Sequence, residues 1–289
     1  MTDQPTREAI AAGEASLFAR IIRRKHEHNL EEMAVGFYDY ESTIHWSFNA
    51  DQWFHAASTM KLAVLLGVFR QIERGGLTLD SDIHVRNRFT SIVDGQHFKL
   101  EVSRDGDGNV YKQLGRTMPV RELAYWMITT SSNLATNLLF EIVGVEAIQY
   151  ALAELEIPGI KVLRGVEDQA AYDAGLNNEV TAAGLLRLLR VISEKRAFSK
   201  EASDQMLEIM LDQRYKSGIP AGVPDEARVA HKTGNISTVH HDAGIVFLDG
   251  RKPYAIVVLT QFDAQTGRGN AVADISADVH STLADLSHV

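Results

Sequence analysis

Residues 58–70 read Ser-Thr-Met-Lys-Leu-Ala-Val-Leu-Leu-Gly-Val-Phe-Arg and are apolar almost all round. A helix of that kind is usually buried in the middle of a domain, because each of its faces needs an apolar neighbour. Ser58 and Lys61 stand at its start, and residues three apart lie on one face of a helix. The segment therefore predicts a central buried helix whose first turn presents a hydroxyl and an amine side by side.

The pair of Ser58 and Lys61 fits nucleophilic catalysis. A serine hydroxyl is a weak nucleophile at neutral pH and needs a base beside it. A desolvated lysine loses its proton readily and can act as that base, while the positive end of a helix favours negative charge that develops on the serine. Ser58 could equally be a helix N-cap and Lys61 an ordinary solvated lysine, so this motif needs support from elsewhere in the chain.

The segments on either side of this helix predict a sheet built from both ends of the chain. Helical spacing covers residues 6–28, and strand patterns cover residues 33–40 and 44–48. Near the other end, Asp249-Gly250 marks a tight turn between two strands, and a last helix covers about 270–286. The strand patterns of the last quarter cover residues 228–232, 243–248 and 254–261.

The middle of the chain is predicted to be mainly helical, with glycine and proline between the helices. One insert differs, because residues 98–102 and 110–114 flank Asp105-Gly-Asp-Gly-Asn109 and predict a hairpin with a polar tip. The helical patterns cover residues 119–129, 133–143, 145–155, 180–194 and 200–212.

This order of elements predicts an α/β protein in the α+β sense. One antiparallel sheet carries the N- and C-terminal helices, and the helical block forms an inserted second lobe. We expect residues 1–57 and 215–289 to form the sheet lobe and residues 58–214 the mainly helical lobe. The two would make one continuous catalytic unit with its site in the cleft between them.

Two further short motifs lie where they can reach the serine. Ser131-Ser132-Asn133 falls between two predicted helices, where a loop can project polar side chains into a cleft, although Ser and Asn are also preferred helix caps. Lys232-Thr233-Gly234 ends a predicted strand and supplies a positive charge, a hydroxyl donor and room for a ligand to approach the backbone. Each tripeptide alone carries little information.

The three motifs together, in this order and on these elements, resemble those of class A β-lactamase-type serine hydrolases, within the penicillin-recognising β-lactamase and DD-peptidase superfamily. The resemblance runs from about residue 20 to the C-terminal helix. It implies a β-lactamase/transpeptidase-like fold, a β-lactam or a related amide or ester as substrate, and no cofactor.

The resemblance also implies the roles of the reacting groups. Ser58 would attack a carbonyl and become acylated, Lys61 would take or relay its proton, and Ser131 would pass a proton to the leaving nitrogen. The backbone N–H groups of Ser58 and Asn235 would form an oxyanion hole, often the largest single contribution to catalysis.

The substrate would be held by the remaining motif residues, again by resemblance. Asn133 would hold Lys61 and the side-chain amide of the substrate. Lys232 and Thr233 would hold the substrate carboxylate, and Gly234 completes their motif.

The carboxylate that frees the serine in this family lies in a loop, and Glu167 occupies a matching place here. A carboxylate near the acyl carbon would activate water. Asp168 is the nearest rival. Four residues after Glu167, where the family often has an asparagine that fixes the water, this chain has Ala171, and Asn177-Asn178 comes later.

Two other departures concern the motifs themselves. The middle residue of S-D-N is Ser132 rather than aspartate. The strand after K-T-G often carries an arginine for the substrate carboxylate, and here it offers His240 or His241 instead. Substrate identity is therefore less defined than reaction type.

Composition excludes several other classes of function. The chain has no cysteine, so disulfides, thiolate zinc sites and a cysteine nucleophile are ruled out. A formal net charge of −9 disfavours nucleic acid as a partner. Asp105-Gly-Asp-Gly-Asn109 lacks the later glycine and glutamate of a calcium loop, and His240 and His241 would point to opposite faces of a strand, so we expect no metal.

The sequence also carries expectations about compartment and assembly. It shows neither a secretory leader nor an apolar stretch of membrane-spanning length, so we expect a cytoplasmic protein, or a periplasmic or secreted one if a leader was removed. We expect a monomer.

Two alternatives to β-lactam hydrolysis stay open. The first is a D-alanyl-D-alanine peptidase or an esterase of the same architecture. The second is a protein that β-lactams acylate slowly and that senses them without turnover.

Overall fold

A computed structural model describes residues 7–265, 267 and 269–286, so the predicted helix start at residue 6 lies outside the described ranges. In these ranges no helix is both long and apolar enough to cross a membrane. The helices are α1 (Arg7–Glu27), α2 (Lys61–Glu73), α3 (Val120–Thr129), α4 (Asn133–Val143), α5 (Val145–Glu154), α6 (Gln169–Asp173), α7 (Ala182–Ser193), α8 (Lys200–Leu211) and α9 (Ala271–Leu286). The strands are β1 (Leu30–Asp39), β2 (His45–Phe48), β3 (Phe54–His55), β4 (Asp82–His84), β5 (Phe89–Thr90), β6 (His97–Phe98), β7 (Thr117–Pro119), β8 (Ile160–Lys161), β9 (Glu179–Val180), β10 (Arg228–Ile236), β11 (Val239–Phe247) and β12 (Tyr254–Phe262).

The main sheet joins the two ends of the chain. It has five strands in the order β10-β11-β12-β1-β2, and every neighbouring pair is antiparallel. The register of β1 and β12 sets Val35 opposite Val258. Gly250, with a φ of 80°, lies in the turn between β11 and β12. The predicted fold class, an antiparallel sheet with terminal helices and an inserted helical block, is confirmed.

Alternation along β1 sorts its side chains between two apolar cores. Met33 and Val35 are fully buried in the core formed with α1 and α9. Ala34 faces the helical block, and a Cβ added at Gly36 would lie 3.4 Å from Leu186 of α7 on that side. The sheet is therefore covered by helices on both faces.

Helix α2 lies inside the helical block, as its apolar sequence predicts. Every residue from Lys61 to Arg70 is buried. A Cβ at Gly67 would lie only 2.8 Å from Ile148 of α5, so glycine lets these two helices approach closely. Ser58 is not part of α2, because it lies in the 3-10 turn Ala57–Met60 just before it.

The predicted hairpin over residues 98–102 and 110–114 is wrong. Two short 3-10 turns lie there instead, inside a loop over residues 99–116, and β6 pairs with β5. Asp105 Oδ1 accepts the backbone N–H of Asp107 at 3.2 Å, and Asp107 accepts a backbone N–H two residues further on at 2.8 Å. Local bonds from aspartate to the backbone compete with strand pairing, which explains the difference.

Candidate active site

The turn that carries Ser58 has an uncommon backbone conformation. Ala57 has a φ of 45°, in the left-handed region that residues other than glycine rarely adopt. Its N–H donates to His55 Nδ1 at 3.0 Å, and Thr59 Oγ1 donates to the carbonyl oxygen of Ala56 at 2.6 Å. Strain of this kind persists where the surroundings enforce it and is typical of functional sites. Ser58 itself is half-buried and lines a cleft.

His55 supports this turn, although no sequence pattern distinguishes it from the other histidines. Burial, and then the charge of Arg164, lowers the pKa of His55, so the neutral ring can accept the Ala57 N–H. Its strand, β3, pairs with β9, and the N–H of Ala56 donates to the carbonyl oxygen of Asn178 at 2.8 Å. These contacts connect the turn that carries Ser58 to the end of the loop that carries Glu167.

Lys61 is fully buried and has the surroundings of a base. Burial, and then the charge of Lys232, holds the pKa of Lys61 well below its ordinary value. Lys61 Nζ donates to the backbone oxygen of Ser131 at 2.7 Å and to Asn133 Oδ1 at 2.8 Å. An amine that has lost its proton keeps two N–H groups and one lone pair, so these two bonds would use both N–H groups and the lone pair would face the Ser131 hydroxyl, 3.1 Å away.

Ser131 lies between two lysines. Its Oγ is 3.1 Å from Lys61 Nζ and 3.1 Å from Lys232 Nζ. A left-handed φ of 59° at Ser131 accompanies the placement of both its hydroxyl and its carbonyl oxygen against Lys61. Lys232 also donates to the carbonyl oxygen of Thr233 at 2.9 Å, and burial lowers the pKa of Lys232 to about 7. A hydroxyl between two amines can pass a proton in either direction.

Asn133 connects this pair to Glu167. Its Oδ1 accepts from Lys61, while its Nδ2 donates to Glu167 Oε1 at 2.6 Å and to the carbonyl oxygen of Arg104 at 3.3 Å. Glu167 has a left-handed φ of 61° and lines the same cleft as Ser58. The carboxylate, the amide and the buried lysine therefore form one connected network.

Asp168, the rival carboxylate, is occupied by structural bonds. It is buried and accepts from Ser91 Oγ at 2.9 Å, from the N–H of Ile92 at 3.0 Å and from the N–H of Ala171 at 3.1 Å. The last bond caps α6. Ala171 is fully buried, so the position expected to fix a water contributes an apolar side chain to the loop interior.

The loop over residues 164–178 is fastened to α4 by Asn137, which sequence reasoning missed. Asn137 Nδ2 donates to the carbonyl oxygen of Val166 at 2.9 Å, and the N–H of Val166 donates back to Asn137 Oδ1 at 2.7 Å. A Cβ at Gly165 would lie 2.5 Å from Asn137 Oδ1, so only glycine fits. The sequence signal that indicates Asn137 is its spacing from Asn133: it follows four residues later, so the two side chains lie on the same face of α4.

The ends of the same loop are joined by Arg164 and the two asparagines. Arg164 Nε donates to the carbonyl oxygen of Leu176 at 2.8 Å, and its Nη2 donates to Asn177 Oδ1 at 3.0 Å. Asn178 Oδ1 accepts the N–H of Leu163 at 2.8 Å, and its Nδ2 donates to the carbonyl oxygen of Arg164 at 2.9 Å. Asn177 and Asn178 thus hold the loop closed.

Strand β10 lies directly against the turn that carries Ser58. A Cβ at Gly234 would lie 3.0 Å from Thr59 Cγ2 and 3.2 Å from the carbonyl oxygen of Ala56, so glycine permits this approach. Thr233 is buried, and Asn235 is exposed and lines the cleft. Of the K-T-G motif, Lys232 therefore contacts Ser131 and Gly234 lies against the turn that carries Ser58.

The two histidines of β11 are not presented to the cleft. Both are buried. His241 Nε2 donates to the carbonyl oxygen of His55 at 3.0 Å, and its Nδ1 accepts the N–H of Thr260 at 3.1 Å. Burial lowers the pKa of His241 to about 4, so the ring is neutral near pH 7. The expected replacement of an arginine by His240 or His241 is therefore not favoured by this arrangement.

The cleft in front of these groups has a volume of about 510 Å³, which suits a small ligand. Arg104 and Arg164 contribute positive charge to its lining. The lining residues are His55, Ala57, Ser58, Arg104, Asn133, Arg164, Val166, Glu167, Asp168, Gln169, Tyr172, Asn178, Asn235, Ile236 and Ser237.

Comparison with known sequences gives a family match over most of the chain. The model of the beta-lactamase enzyme family matches residues 17–283. Among curated relatives, a beta-lactamase from Bacteroides uniformis is 28% identical over 257 residues, which cover 82% of this chain and 81% of that protein.

Comparison with solved structures gives the same fold. A beta-lactamase from Xanthomonas campestris superposes with a TM-score of 0.81 at 21% identity, covering 94% of this chain and 98% of that one. A mutant of PBP-A, solved as an acyl-enzyme complex with penicillin-G, superposes with a TM-score of 0.77 at 23% identity, covering 93% of this chain and 96% of that one.

Proposed function

This chain belongs to the beta-lactamase enzyme family, and from that premise we propose that it opens β-lactam rings through an acyl-enzyme on Ser58, which a water activated by Glu167 then hydrolyses. Membership makes the protein a serine β-lactamase-like hydrolase. One observation carries the finer proposal: Ser131 Oγ lies 3.1 Å from the amines of two buried lysines, Lys61 and Lys232.

In the acylation step, Ser58 Oγ attacks the carbonyl carbon of the ring amide while its proton passes to Lys61. As the carbon–nitrogen bond breaks, Ser131 delivers a proton to the ring nitrogen and is reprotonated from a lysine. The lowered pKa of Lys61 and the placement of Ser131 against both amines support this route. The backbone N–H groups of Ser58 and Asn235 are the candidates for the oxyanion hole, since both residues line the cleft.

In the deacylation step, a water gives a proton to Glu167 and its oxygen attacks the ester carbonyl. The ester carbon–oxygen bond then breaks, Ser58 Oγ takes up a proton as it leaves, and Glu167 returns its proton, so that both side chains regain their starting states. Glu167 is favoured over Asp168 because it bonds to Asn133 at 2.6 Å, whereas Asp168 is buried and already accepts three hydrogen bonds. With Ala171 buried, Asn133 is the side chain that orients Glu167.

The substrate class follows from charge. A protonated Lys232, with Thr233 next to it in the chain, suits the carboxylate that lies next to the ring nitrogen of penicillins and cephalosporins. The Asn133 amide suits the acylamino side chain on the other side of the ring. We therefore assign β-lactams with a free carboxylate as the preferred substrates.

The experiment is turnover of a chromogenic cephalosporin with intact-mass measurement of the protein during the reaction. We expect Ser58→Ala to abolish both turnover and the adduct. We expect Glu167→Gln to keep the adduct while turnover falls by about 10²- to 10⁴-fold, because the general base is lost. Asp168→Asn is the matched control; it should lower the melting temperature and still turn over faster than Glu167→Gln, because its carboxylate caps α6.

The other outcomes separate the alternatives. A stable adduct on the native protein without turnover would favour a sensor, which the buried Ala171 makes a specific alternative. No adduct at all would contradict the β-lactam proposal. Release of D-alanine from a D-alanyl-D-alanine peptide, or cleavage of a simple ester, would then identify a peptidase or an esterase.

A further inference from the structure

The loop over residues 99–116 packs on the serine loop, residues 130–133. The contact is tight, because a Cβ at Gly106 would lie 1.7 Å from the carbonyl oxygen of Thr130. The hydroxyl of Tyr215 lies 3.2 Å from the carbonyl oxygens of both Gly106 and Thr130 and spans the junction. Residues 105–109, which the sequence predicted as the tip of a hairpin, therefore pack against the loop that carries Ser131 and Asn133.

Asp105 makes the specific contacts at this junction. Its Oδ2 accepts the N–H of Leu134 at 3.0 Å and the hydroxyl of Ser132 at 3.2 Å. Ser132 Oγ in turn accepts the N–H of Ala135 at 3.2 Å and caps α4. The Asp105 carboxylate therefore binds the first turn of α4 directly and through Ser132, where the helix dipole favours negative charge.

The residues on either side of Ser132 are the ones that need exact placement. Ser131 holds a left-handed φ of 59° and contacts Lys61 through both its hydroxyl and its carbonyl oxygen. Asn133 binds Lys61 and Glu167. Ser132 is fully buried, so its hydroxyl needs a partner inside the protein.

We propose that Asp105 is a positioning residue for this reaction, which supplies from a neighbouring loop the carboxylate that the S-D-N motif carries at the position of Ser132. The inference rests on the proposed function, because it assumes that Ser131 and Asn133 act on the substrate. Asp105 itself acts through them, and its contacts explain why a serine can stand in the middle of the motif.

Electrostatics supports the same assignment. The charges of Asp105 and Glu167 raise the pKa of Lys61, against the larger lowering effects of burial and of Lys232. Loss of Asp105 therefore changes both the position of the serine loop and the charge balance at Lys61. A carboxylate restored nearby should repair both.

The test is relocation of the carboxylate. The acylation rate with a chromogenic cephalosporin is measured by rapid mixing for the native protein, for Asp105→Ser, for Ser132→Asp and for the double variant. We expect Asp105→Ser to slow acylation by about 10- to 100-fold, because charge-assisted hydrogen bonds are lost. The double variant should recover to within about threefold of the native rate, a non-additivity expected only of groups in direct contact.

Asp107→Ser is the matched control, because it removes the same charge from the same loop. Asp107 contacts Arg214 at 3.4 Å, and its contacts do not involve the serine loop in the described residues, so acylation should keep its native rate. Melting temperatures are recorded for all variants. If Asp105→Ser does not fold, Asp105→Asn, which keeps the side-chain shape, takes its place in the same comparison.

The outcomes distinguish this inference from the proposed function. If the native protein is acylated, Asp105→Ser is acylated slowly and the double variant recovers the native rate, then both the inference and the proposed function are supported. If the native protein is acylated but Asp105→Ser keeps the native acylation rate, the positioning role is overturned. The same holds if the double variant is acylated no faster than Asp105→Ser. In both cases the proposed function still stands. A native protein that forms no acyl adduct overturns the proposed function and the inference together.

Discussion

Two buried lysines share one serine hydroxyl, and they cannot both be charged at low cost. Burial lowers the pKa of each, and the Lys232 charge pushes the pKa of Lys61 further down. The arrangement therefore distinguishes the two lysines: Lys232, with a pKa of about 7, keeps its charge into the neutral range, whereas burial and that charge both disfavour the ammonium form of Lys61. Pairs of titratable groups whose surroundings separate their pKa values in this way are typical of acid–base catalysis.

This separation predicts the pH dependence of substrate capture. The pKa of Lys232 is about 7, so its ammonium is present below that pH and lost above it, while burial and the charge of Lys232 disfavour the ammonium form of Lys61. We expect kcat/KM for a carboxylate-bearing β-lactam to fall by roughly tenfold per pH unit above neutrality, because kcat/KM reports the free enzyme. Bound carboxylate should stabilise the ammonium, so the alkaline limb of kcat should lie at higher pH.

The control is the same β-lactam with its carboxylate esterified. It cannot use the charge of Lys232 and should lack the alkaline limb in kcat/KM. The assigned role of Lys232 would be contradicted if kcat/KM fell equally at alkaline pH for the free acid and the ester of the β-lactam. It would also be contradicted if kcat/KM for the free acid did not fall at alkaline pH.

At the level of elements, two side chains of α4 hold the loop over residues 164–178: Asn133 bonds to the Glu167 side chain, and Asn137 bonds to the loop backbone. Asn137 makes a reciprocal pair of hydrogen bonds with Val166, the residue before Glu167. We expect Asn137→Ala to lower the free energy of unfolding by about 2–3 kcal/mol, because buried backbone groups lose their partners. Deacylation should slow more than acylation, since the bonds that place Glu167 are lost while Ser58 keeps its own.

Chemical denaturation and the steady-state fraction of acylated protein measure these two effects. Asn137→Asp is a useful comparison, since it keeps an acceptor for the Val166 N–H and loses the donor to the carbonyl oxygen. Equal slowing of acylation and deacylation by Asn137→Ala would mean that the loop does not act specifically on Glu167.

Sequence periodicity predicted the regular elements well and the loop over residues 99–116 poorly. Helices α3, α4, α5, α7 and α8 begin and end within two residues of their predicted positions, because their apolar faces repeat with the helical period. Helix α2 lies three residues later than predicted, and the five-residue α6 was not predicted. Residues 98–102 of the failed hairpin alternate apolar and polar side chains, but residues 110–114 do not, and Val102 and Leu114 are exposed with no sheet to cover them. Alternation alone cannot reveal that aspartates will bond to their own backbone.

For the whole molecule, the site prediction rests on three motifs that lie on different elements: the turn before α2, the loop before α4 and strand β10. Their order and context predicted that Ser58, Ser131 and Lys232 meet. Ser131 Oγ contacts Lys232 and Lys61 directly, and Ser58 lies in the turn three residues before Lys61. His55 and Asp105 could not be predicted in the same way. Their roles depend on loops that meet in space and follow no short sequence spacing.

The lobe division at residues 57/58 and 214/215 stays a prediction, and we propose that the lobes unfold as one unit. Both cores share the main sheet, with α7 packed on the face opposite α1 and α9. Variants that keep only Trp46 of β2 or only Trp126 of α3 report on each lobe separately, with phenylalanine at the other tryptophan positions. Their denaturation midpoints should coincide with each other and with the loss of circular dichroism.

An earlier transition at Trp126 than at Trp46 would contradict a single cooperative unit. It would assign the helical block a stability of its own. The circular dichroism signal of the native protein, which follows all helices together, controls for any local effect of the substitutions.

The decisive measurement is the position of the acyl group. Glu167→Gln is incubated with a penicillin, quenched in acid and digested, and the modified residue is identified by peptide mass spectrometry. We predict one adduct per chain, with the mass of the intact penicillin, on Ser58. An adduct on Ser131 or another residue, or a protein that stays unmodified, would contradict the proposal that Ser58 is the nucleophile of this site.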